Sequence, residues 1–375
     1  MKRIIELNVD DKGMGGVFSL VRNIILNIPE GLQIDIAAIL KFENSFHEEE
    51  LRNKGTFVHF VGYKGPSFLR PFFYYYNTLR LLKKCEYSCA HVHSDVSYMM
   101  LPFALAAKRA KVDKIILHAH AAGVDGKHAI IKRILHKTLC PLICKMDAQF
   151  VACSDKASEW MYPGIPQNKV LFIRNGIPLQ KFRVNKEVRN RIRNEMNLQG
   201  KTVLGHIGRF SSVKNHDFLL KVLARTIEVM PDVMLLLVGE GYLFDSIKNK
   251  TNEMGLSERV VFMGTIQNTH EVLQAMDVFL LPSLSEGFSI ACVEAEAAGV
   301  PVIVSDTISR QIKLVDNVSF LSCKEDSVDD WTREIEKFCG LEHPDNFFKL
   351  YEKGYDISST IRQCQELYED TPMIT

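Results

Sequence analysis

The sequence predicts an α/β protein made of two doubly wound domains, each built on a parallel sheet. Short apolar runs alternate with longer amphipathic segments, a pattern typical of β–α–β units whose sheets are covered on both faces. This alternation stops in a charged stretch near 178–200 and then starts again. The length of 375 residues also exceeds what a single hydrophobic core usually supports.

Eleven apolar runs are predicted strands, and amphipathic helices lie between them. The strands of the first half are RIIELN, QIDIAAIL, FVHFVG, AHVH, KIILHAH and QFVACS, with helices over 17–28, 68–84, 95–110 and 127–145. The strands of the second half are TVLGHIG, VMLLLVG, RVVFMG, DVFLLP and PVIVS, with helices over 215–229 and 268–276. We therefore expect domains at 1–178 and 179–350, and a C-terminal helix within 351–375 that packs back across the boundary.

Two open sheets of this kind are expected to face each other across a cleft. Ligands of such sheets bind beyond the carboxyl ends of the strands. The side chains that come directly after the predicted strands are therefore the candidates for binding and catalysis.

Composition and charge argue against several classes of protein. A net charge of +1 gives the whole molecule no field for nucleic acid, so we expect no nucleic-acid partner. The apolar content of 46% is ordinary for a soluble protein, and no apolar run approaches the ~18 residues of a membrane span. Nine cysteines in a chain that opens without a cleavable signal favour a reducing, cytoplasmic location.

A glycine-rich turn follows the first strand, in DDKGMGGVFSL. Gly13, Gly15 and Gly16 precede a helix, but Phe18 stands where a dinucleotide-binding GxGxxG motif would have its third glycine. Because a helix N-terminus attracts anions, the segment is either an anion-binding turn or a tight turn alone.

Two His-x-His pairs lie at the ends of strands, in AHVHS and LHAHA. Since side chains alternate along a strand, His91 and His93 share one face, and so do His118 and His120. The pairs are either hydrogen-bonded strand ends, or groups that contact a substrate, or ligands of a divalent metal. No Asp or Glu of suitable spacing joins them, which disfavours the metal.

Two cations follow the first strand of the second half, in GRFSSVKNHD. Arg209 offers a bidentate fork of donors and Lys214 offers a point charge, and together they suit a pyrophosphate leaving group. The alternative is a pair of solvated surface cations. Their position directly after a strand favours the functional interpretation.

The segment SLSEGFSIACVEAEAAGVP places Glu286 in a loop after a strand and Glu294 on the following helix. Backbone N–H groups after Gly287 lie at that helix N-terminus and suit a phosphate or a sugar. A carboxylate accepts two hydroxyl hydrogen bonds at once, so one acid would bind a ribose diol and the other the hydroxyls of a transferred sugar. Glu296 is only two positions from Glu294, so we interpret it as a solvent-facing or supporting group.

The motifs GMGG, HAH, IRNGI, GRFSSVK, VGEG and EGFSIACVEAEAAGVPVI resemble the family-four retaining glycosyltransferases, from residue 1 to about 320. The following SDTISRQIKLVDNVSFLS departs from the usual family ending and looks like the branch that builds bacterial capsular polysaccharide and exopolysaccharide. The resemblance implies the GT-B fold, two Rossmann-like doubly wound domains facing across a cleft. It also implies retaining transfer from a nucleotide-sugar, by the branch a UDP-sugar, to a hydroxyl of a lipid-linked or oligosaccharide acceptor.

On the donor side, the resemblance assigns a role to each motif residue. Arg209 and Lys214 would bind the donor diphosphate, Glu294 the ribose hydroxyls and Glu286 the sugar ring. The backbone N–H groups that would meet the sugar and phosphate are those of Phe288, Ser289 and Ile290. Enzymes of this fold stabilise the leaving diphosphate with cationic side chains and helix dipoles, so we expect neither a metal nor a cofactor.

In the first domain, the resemblance implies that Gly16 approaches the diphosphate and that His120 lies near the reacting sugar. His118 is the fallback for that histidine, and His118, His93 and Ser94 are candidates on the acceptor side. In a retaining mechanism the leaving diphosphate itself can take the acceptor proton. This agrees with the absence of an evident carboxylate base from the first domain.

The segments 63–84 and 126–146 each carry five Lys or Arg residues and no acid, and the first also has seven aromatic residues. They are either ordinary helices with one core face, or basic amphipathic surfaces that lie on anionic lipid. We expect peripheral contact with the inner face of the plasma membrane, where a lipid-linked acceptor would be presented.

Three rival functions remain at this point. A metal-dependent hydrolase built on the His-x-His pairs would leave the Arg–Lys pair and the two spaced glutamates unexplained. A nucleotide-sugar epimerase of the same fold would need more carboxylates in the cleft. A non-catalytic nucleotide-sugar sensor would be expected to show degraded motifs, and none is evident.

Overall fold

The computed structural model describes residues 2–11, 16–28, 31–124, 128–286 and 288–369, and the chain divides into two compact units. The first unit comprises Met1–Gly176 together with Ile357–Thr375, and the second comprises Ile177–Asp356. The predicted boundaries lie at 178/179 and 350/351, whereas the chain changes unit after Gly176 and again after Asp356.

The first unit is built on a seven-stranded parallel sheet. Its strands are β1 (Lys2–Leu7), β2 (Leu32–Ala38), β3 (Val58–Phe60), β4 (Cys89–Ser94), β5 (Lys114–Ala119), β6 (Gln149–Ala152) and β7 (Val170–Phe172), in the order β3-β2-β1-β4-β5-β6-β7. Its helices include α1 (Gly16–Asn27), α2 (Ser45–Asn53), α3 (Arg70–Lys84), α4 (Ser97–Ala110), α5 (Ala129–Cys144) and α6 (Asp155–Met161). The winding direction reverses between β1 and β4, so the carboxyl ends of these two strands form the switch point where ligands of such sheets bind.

The second unit has a six-stranded parallel sheet of the same design. Its strands are β8 (Thr202–Ile207), β9 (Val233–Val238), β10 (Val260–Gly264), β11 (Val278–Leu281), β12 (Val302–Ser305) and β13 (Val318–Leu321), in the order β10-β9-β8-β11-β12-β13. Its helices are α7 (Leu179–Phe182), α8 (Lys186–Glu195), α9 (His216–Val229), α10 (Phe244–Glu253), α11 (Thr269–Ala275), α12 (Ile290–Ala297), α13 (Val328–Phe338) and α14 (Phe347–Glu352). Here the switch point lies between β8 and β11, so the loops after these strands come together although they are far apart in the chain.

The last helix, α15 (Ile357–Glu369), belongs to the first unit. Ile361, Cys364, Leu367 and Tyr368 are buried in the hydrophobic core that covers one face of the first sheet. Their spacing puts them on one side of the helix, and α15 packs against α1. The C-terminal helix thus contributes side chains to the interior of the first unit.

Right-handed crossovers place α1 and α2 on one face of the first sheet and α3, α4 and α5 on the other. α4 packs against both α3 and α5, so helices from the two basic segments identified in the sequence lie on either side of α4. No helix within the described residues is long and apolar enough to cross a bilayer.

Each predicted strand and helix is present, but the charged stretch near 178–200 is not a simple linker. It contains α8, which packs against α11 inside the second unit. Arg189 and Arg193 of α8 both bind the carboxylate of Asp277, the latter at 3.2 Å. Two arginines of the charged stretch that suggested a domain boundary are therefore partners of an acid directly before β11. The edge strands β7 and β13, of three and four residues, are additional to the predicted set.

Candidate active site

The loop after β8 carries both predicted phosphate-binding cations. Arg209 is exposed, and Lys214 comes just before Asn215, whose left-handed backbone (φ 54°) leads into α9. The Lys214 stem lies across Gly208, where a Cβ atom would be 3.2 Å from the lysine Cε and 2.9 Å from His206 Nε2. A glycine at this position therefore allows the lysine to lie over the carboxyl end of β8.

The VGEG loop after β9 holds this cationic loop in place. Gly239 has φ 129°, and a Cβ atom there would come within 2.2 Å of the Gly208 carbonyl oxygen. The Phe210 N–H donates to the Glu240 carbonyl at 2.9 Å. Only glycine permits so close an approach of two backbones, which explains this part of the motif.

Lys214 and Glu286 form an ion pair at the switch point, with side chains that are 16% and 15% exposed. The backbone N–H of Leu284 donates to the Val213 carbonyl at 2.8 Å, which joins the two loops. The sequence assigned these side chains to different parts of one ligand, and the structure adds that they contact each other. The carboxylate therefore orients the ammonium group and offsets part of its charge.

The N-terminus of α12 lies directly after Glu286 in the chain, beyond Gly287, which is outside the described residues. The helix starts at Ile290, and its Ser289 N-cap makes no side-chain capping bond, so the first-turn N–H groups lack that partner. The Phe288 ring stacks on Tyr355, with centroids 5.5 Å apart, so a ligand would be met by its backbone and not its ring.

The two glutamates of α12 have different surroundings. Glu294 is half-buried, and burial raises the pKa of its carboxyl to about 8. Glu296 is fully buried, and one of its oxygens accepts hydrogen bonds from the N–H groups of Leu314 (2.8 Å) and Val315 (2.9 Å). Of the two interpretations of Glu296, the solvent-facing one is therefore wrong. This acid supports the loop after β12 from inside the unit.

Two buried histidines complete this site, and neither was predicted to belong to it. His206 lies on β8, and His216 begins α9 and stacks on Phe210 with centroids 4.1 Å apart. Burial, aided by the nearby Lys214 charge, lowers the pKa of His216 to about 4, so its ring is neutral. The rings form an uncharged floor beneath the lysine.

In the first unit, strand register brings the four predicted histidines to one face of the sheet. Glu6 of β1 pairs with His91 of β4, and His93 pairs with His118 of β5, while His120 follows β5 directly. The His91 Nε2 and His118 Nδ1 atoms are 3.1 Å apart, and the His93 Nδ1 and His120 Nε2 atoms are 2.8 Å apart. The predicted pairing of imidazoles on one face is thus observed.

Glu6 is the group in this cluster that sequence reasoning missed. Its buried carboxylate accepts from His93 Nε2 and from the Tyr368 hydroxyl, and it lies 3.2 Å from His91 Nδ1. Although burial alone would raise the pKa of Glu6, the electrostatic influence of His91 and the hydrogen bonds from His91 and His93 hold that pKa well below the usual range. An acid inside the apolar run RIIELN was the available signal, because a buried charge requires partners.

The presence of Glu6 corrects one sequence inference. A carboxylate does join the histidines, and ring nitrogens of His91, His93 and His118 lie within 4.8 Å of one another, as metal ligands would. Being buried and occupied by three donors, the Glu6 carboxylate is poorly placed to act as a general base toward a substrate.

The remaining first-unit candidates are less open to a ligand than the sequence suggested. His118 and His93 are buried in the cluster, and His120 is 8% exposed. The Ser94 hydroxyl donates to the Val96 carbonyl at 2.9 Å, so it is used within its own turn. Gly16 is the exposed first residue of α1, and the predicted Gly13 and Gly15 lie outside the described residues.

Two family models match this chain, one on each half. The model described as Glycosyltransferase Family 4 matches residues 14–181, and the model described as Glycosyl transferases group 1 matches residues 188–353. The second range contains the switch-point loops with Arg209, Lys214, Glu286 and Glu294.

Curated relatives agree with these matches. EpsF of Bacillus subtilis is 27% identical over 98% of this chain and 96% of its own length. An Escherichia coli enzyme, named UDP-Gal:alpha-D-GlcNAc-diphosphoundecaprenol alpha-1,3-galactosyltransferase, is 28% identical over 60% of this chain and 60% of its own length.

Solved structures share the fold at low identity. Anabaena HepE in complex with UDP and glucose has a TM-score of 0.78 and 18% identity, over 99% of this chain and all of its own. WaaG, a glycosyltransferase involved in lipopolysaccharide biosynthesis, has a TM-score of 0.77 and 14% identity, over 97% of this chain and 99% of its own. With two Rossmann-like domains and matches along both of them, the chain belongs to the family-four glycosyltransferases of GT-B fold.

Proposed function

We propose that this glycosyltransferase moves a sugar from a UDP-sugar to a hydroxyl of a lipid-linked oligosaccharide, with retention of anomeric configuration, in capsule or exopolysaccharide synthesis. The observation that carries the proposal is the ion pair of Lys214 and Glu286 at the switch point of the second unit. One turn into the adjacent helix lies the half-buried Glu294. A cation, two carboxylates and a helix N-terminus suit the diphosphate, ribose and sugar of one donor.

Each group has a separate proposed role toward the donor. Arg209 and Lys214 bind the diphosphate and stabilise the charge that develops as it leaves. Glu294 accepts hydrogen bonds from the ribose hydroxyls, and Glu286 contacts the sugar ring while it orients Lys214. The backbone N–H groups of Phe288, Ser289 and Ile290, at the start of α12, donate hydrogen bonds to the sugar and phosphate. Gly16 places the start of α1 at the diphosphate.

The choice of UDP and of a lipid-linked acceptor is supported by the relatives. Anabaena HepE was crystallised with UDP and with UDP-glucose. The name of the E. coli relative specifies a UDP-galactose donor and a diphosphoundecaprenol-linked acceptor. We extend both properties to this chain as substrate classes, with the transferred sugar left to a donor screen.

We also propose that catalysis is independent of metal. The cations of the second unit supply positive charge to the leaving diphosphate, which then takes the acceptor proton as the new glycosidic bond forms. His120 hydrogen-bonds a substrate hydroxyl at the end of β5. The test is UDP release from UDP-sugars with a lipid-linked acceptor, with and without EDTA, and NMR of the product. Inversion at the anomeric carbon, or loss of turnover with EDTA, would contradict the proposal.

Glu286→Gln is expected to lower kcat by about 10- to 100-fold, because a charged hydrogen bond to the sugar and the orienting partner of Lys214 are both lost. The Kd for free UDP should change by less than about threefold, since UDP has no transferred sugar to contact and Lys214 keeps its full charge toward the diphosphate. Steady-state kinetics and calorimetry on the same preparation separate the two effects. Equal losses in kcat and in UDP affinity would argue against a sugar contact.

The face formed by α3, α4 and α5 is the proposed membrane-contact surface. On α5, Ile130 and Ile134 are 78% and 62% exposed, and the basic side chains of Arg133 and Lys137 lie among such apolar groups. Phe72 on α3 is 61% exposed. Apolar side chains interleaved with cations are typical of surfaces that lie on anionic lipid.

The exposed end of α4 adds positive charge to the same surface. Lys108, Arg109 and Lys111, with Tyr75 and Leu105, line a pocket of about 430 Å³. We propose that this face holds the enzyme at the cytoplasmic leaflet, where the acceptor lipid is anchored.

The double variant Arg133→Glu/Lys137→Glu should bind anionic vesicles at least about tenfold more weakly than the wild type, because each basic residue at such a surface contributes about 1 kcal/mol. Flotation with phosphatidylglycerol vesicles at low salt measures this. The matched control, Lys41→Glu/Lys54→Glu, makes the same charge change at exposed positions near α2 and should bind as the wild type does. Equal binding by both variants, or none by the wild type, would reject the surface.

A further inference from the structure

A continuous chain of hydrogen bonds runs from the C-terminal helix to His120, entirely within the first unit. The Tyr368 hydroxyl donates to Glu6 Oε1 at 2.5 Å. The other Glu6 oxygen meets His93 Nε2 at 2.5 Å, and the opposite ring nitrogen of His93 is 2.8 Å from His120 Nε2. Tyr368, Glu6 and His93 are all essentially inaccessible to solvent.

The donors and acceptors in this series of hydrogen bonds determine the tautomers of His93 and His120. The Glu6 carboxylate only accepts, so His93 must carry its proton on Nε2. Burial, together with the nearby His91, lowers the pKa of His93 to about 4, so its ring is neutral and its Nδ1 is bare. A bare Nδ1 can only accept, and His120 must therefore present an Nε2–H to it.

We infer that Glu6 and His93 are positioning residues that hold His120 as its Nε2–H tautomer, with Nδ1 left as the hydrogen-bond acceptor. The inference rests on the proposed function and deepens it, because His120 Nδ1 is then the atom that accepts a hydrogen bond from a substrate hydroxyl. We call the series Glu6–His93–His120 the relay. It consists of side chains from β1, β4 and the loop after β5, so backbone groups do not set the tautomer. Tyr368 on α15 closes it by occupying the second oxygen of Glu6.

The surroundings support hydrogen bonding over metal binding at this cluster. His91 Nδ1 is 3.0 Å from the Tyr368 hydroxyl, and His91 Nε2 is 3.1 Å from His118 Nδ1. The rings therefore already satisfy one another through short contacts. Among the described residues of the cluster, the one buried ring atom without a partner is His118 Nε2.

The test is the ring ¹⁵N spectrum of histidine-labelled wild-type protein without substrate, with His120→Gln used to assign the His120 signals. We expect a protonated Nε2 and an unprotonated Nδ1 on His120. The reverse tautomer, or stoichiometric metal in the purified protein, would overturn the inference. Because no substrate is present, this result does not depend on the proposed function.

Glu6→Gln extends the test. A glutamine that donates a hydrogen bond to His93 Nε2 moves the proton of His93 to Nδ1, which leaves the proton of His120 on Nδ1. We expect the reversed signature together with a fall in kcat of about three- to tenfold at unchanged KM, the size of one hydrogen bond. A reversed tautomer with unchanged kcat would uphold the relay and reject the role of His120 in catalysis. An unchanged tautomer would overturn the relay.

Asp35→Asn is the matched control. Asp35 is a buried carboxylate on the neighbouring β2, and it also accepts from a tyrosine hydroxyl, that of Tyr87 at 2.7 Å. Its loss should reduce the free energy of unfolding without altering the His120 signals. A change of tautomer in this variant would show that general loosening, and not the relay, sets the state of the ring.

Discussion

Lys214→Ala is expected to lower kcat by about 10²–10³-fold, because the variant loses a positive charge aimed at the leaving diphosphate. The structure adds a second cost: the carboxylate of Glu286, only 15% exposed, is left without its ion-pair partner. Steady-state UDP release at saturating donor measures the effect. Arg209→Ala should have a similar effect through the same charge, although Arg209 is exposed.

Lys221→Ala provides a control on the adjacent helix α9. Lys221 also pairs with an acid, Glu325, but at the exposed surface, where such pairs contribute little. Its kcat should match that of the wild type. Wild-type turnover in Lys214→Ala would reject its role in catalysis, and an equal loss in both variants would indicate a nonspecific effect of charge removal.

Glu294→Ala is expected to weaken binding of UDP-glucose by about 100-fold, because two hydroxyl groups lose a charged acceptor. The pH dependence is a sharper test. Burial raises the pKa of the free carboxyl to about 8, whereas hydroxyl donors favour the charged form, so binding lowers that pKa and releases a proton at neutral pH. Affinity should therefore be highest above pH 8 and fall by up to about tenfold per unit below it.

Calorimetry of UDP-glucose between pH 6 and 9, in buffers of different ionisation enthalpy, measures both the slope and the proton release. UDP-glucose is preferable to UDP because its diphosphate carries no terminal group that titrates in this range. The control is Glu296→Gln on the same helix, where the pKa is also raised to about 8 by burial but the side chain supports a loop. Glu296→Gln should retain the dependence of UDP-glucose affinity on pH, and Glu294→Gln should lose it. A flat profile in the wild type would contradict the ribose role.

The order of secondary structure was predictable because apolar periodicity records which faces are buried. Even so, the edge strands β7 and β13, of three and four residues, are not among the predicted strands. In the sequence, the charged helix α8 resembles a domain boundary because the acid that binds Arg189 and Arg193 lies more than 80 residues away.

Side-chain partnerships across the chain were the part that sequence alone did not reveal. Lys214 and Glu286 are 72 positions apart, and Glu6 and Tyr368 are 362 apart. Their contacts follow from sheet order and from the return of α15 to the first unit, which no local pattern encodes. The types of the candidate site residues and their positions after strands could be predicted from the sequence. The burial of Glu296 and the role of Glu6 became evident only from the fold.

The most direct test of the central claim is calorimetric titration of UDP into the purified protein, with and without EDTA. The account predicts binding that survives EDTA and that is severely weakened in Glu294→Ala. Failure to bind UDP, or binding that disappears when metal is chelated, would contradict a metal-independent UDP-sugar transferase.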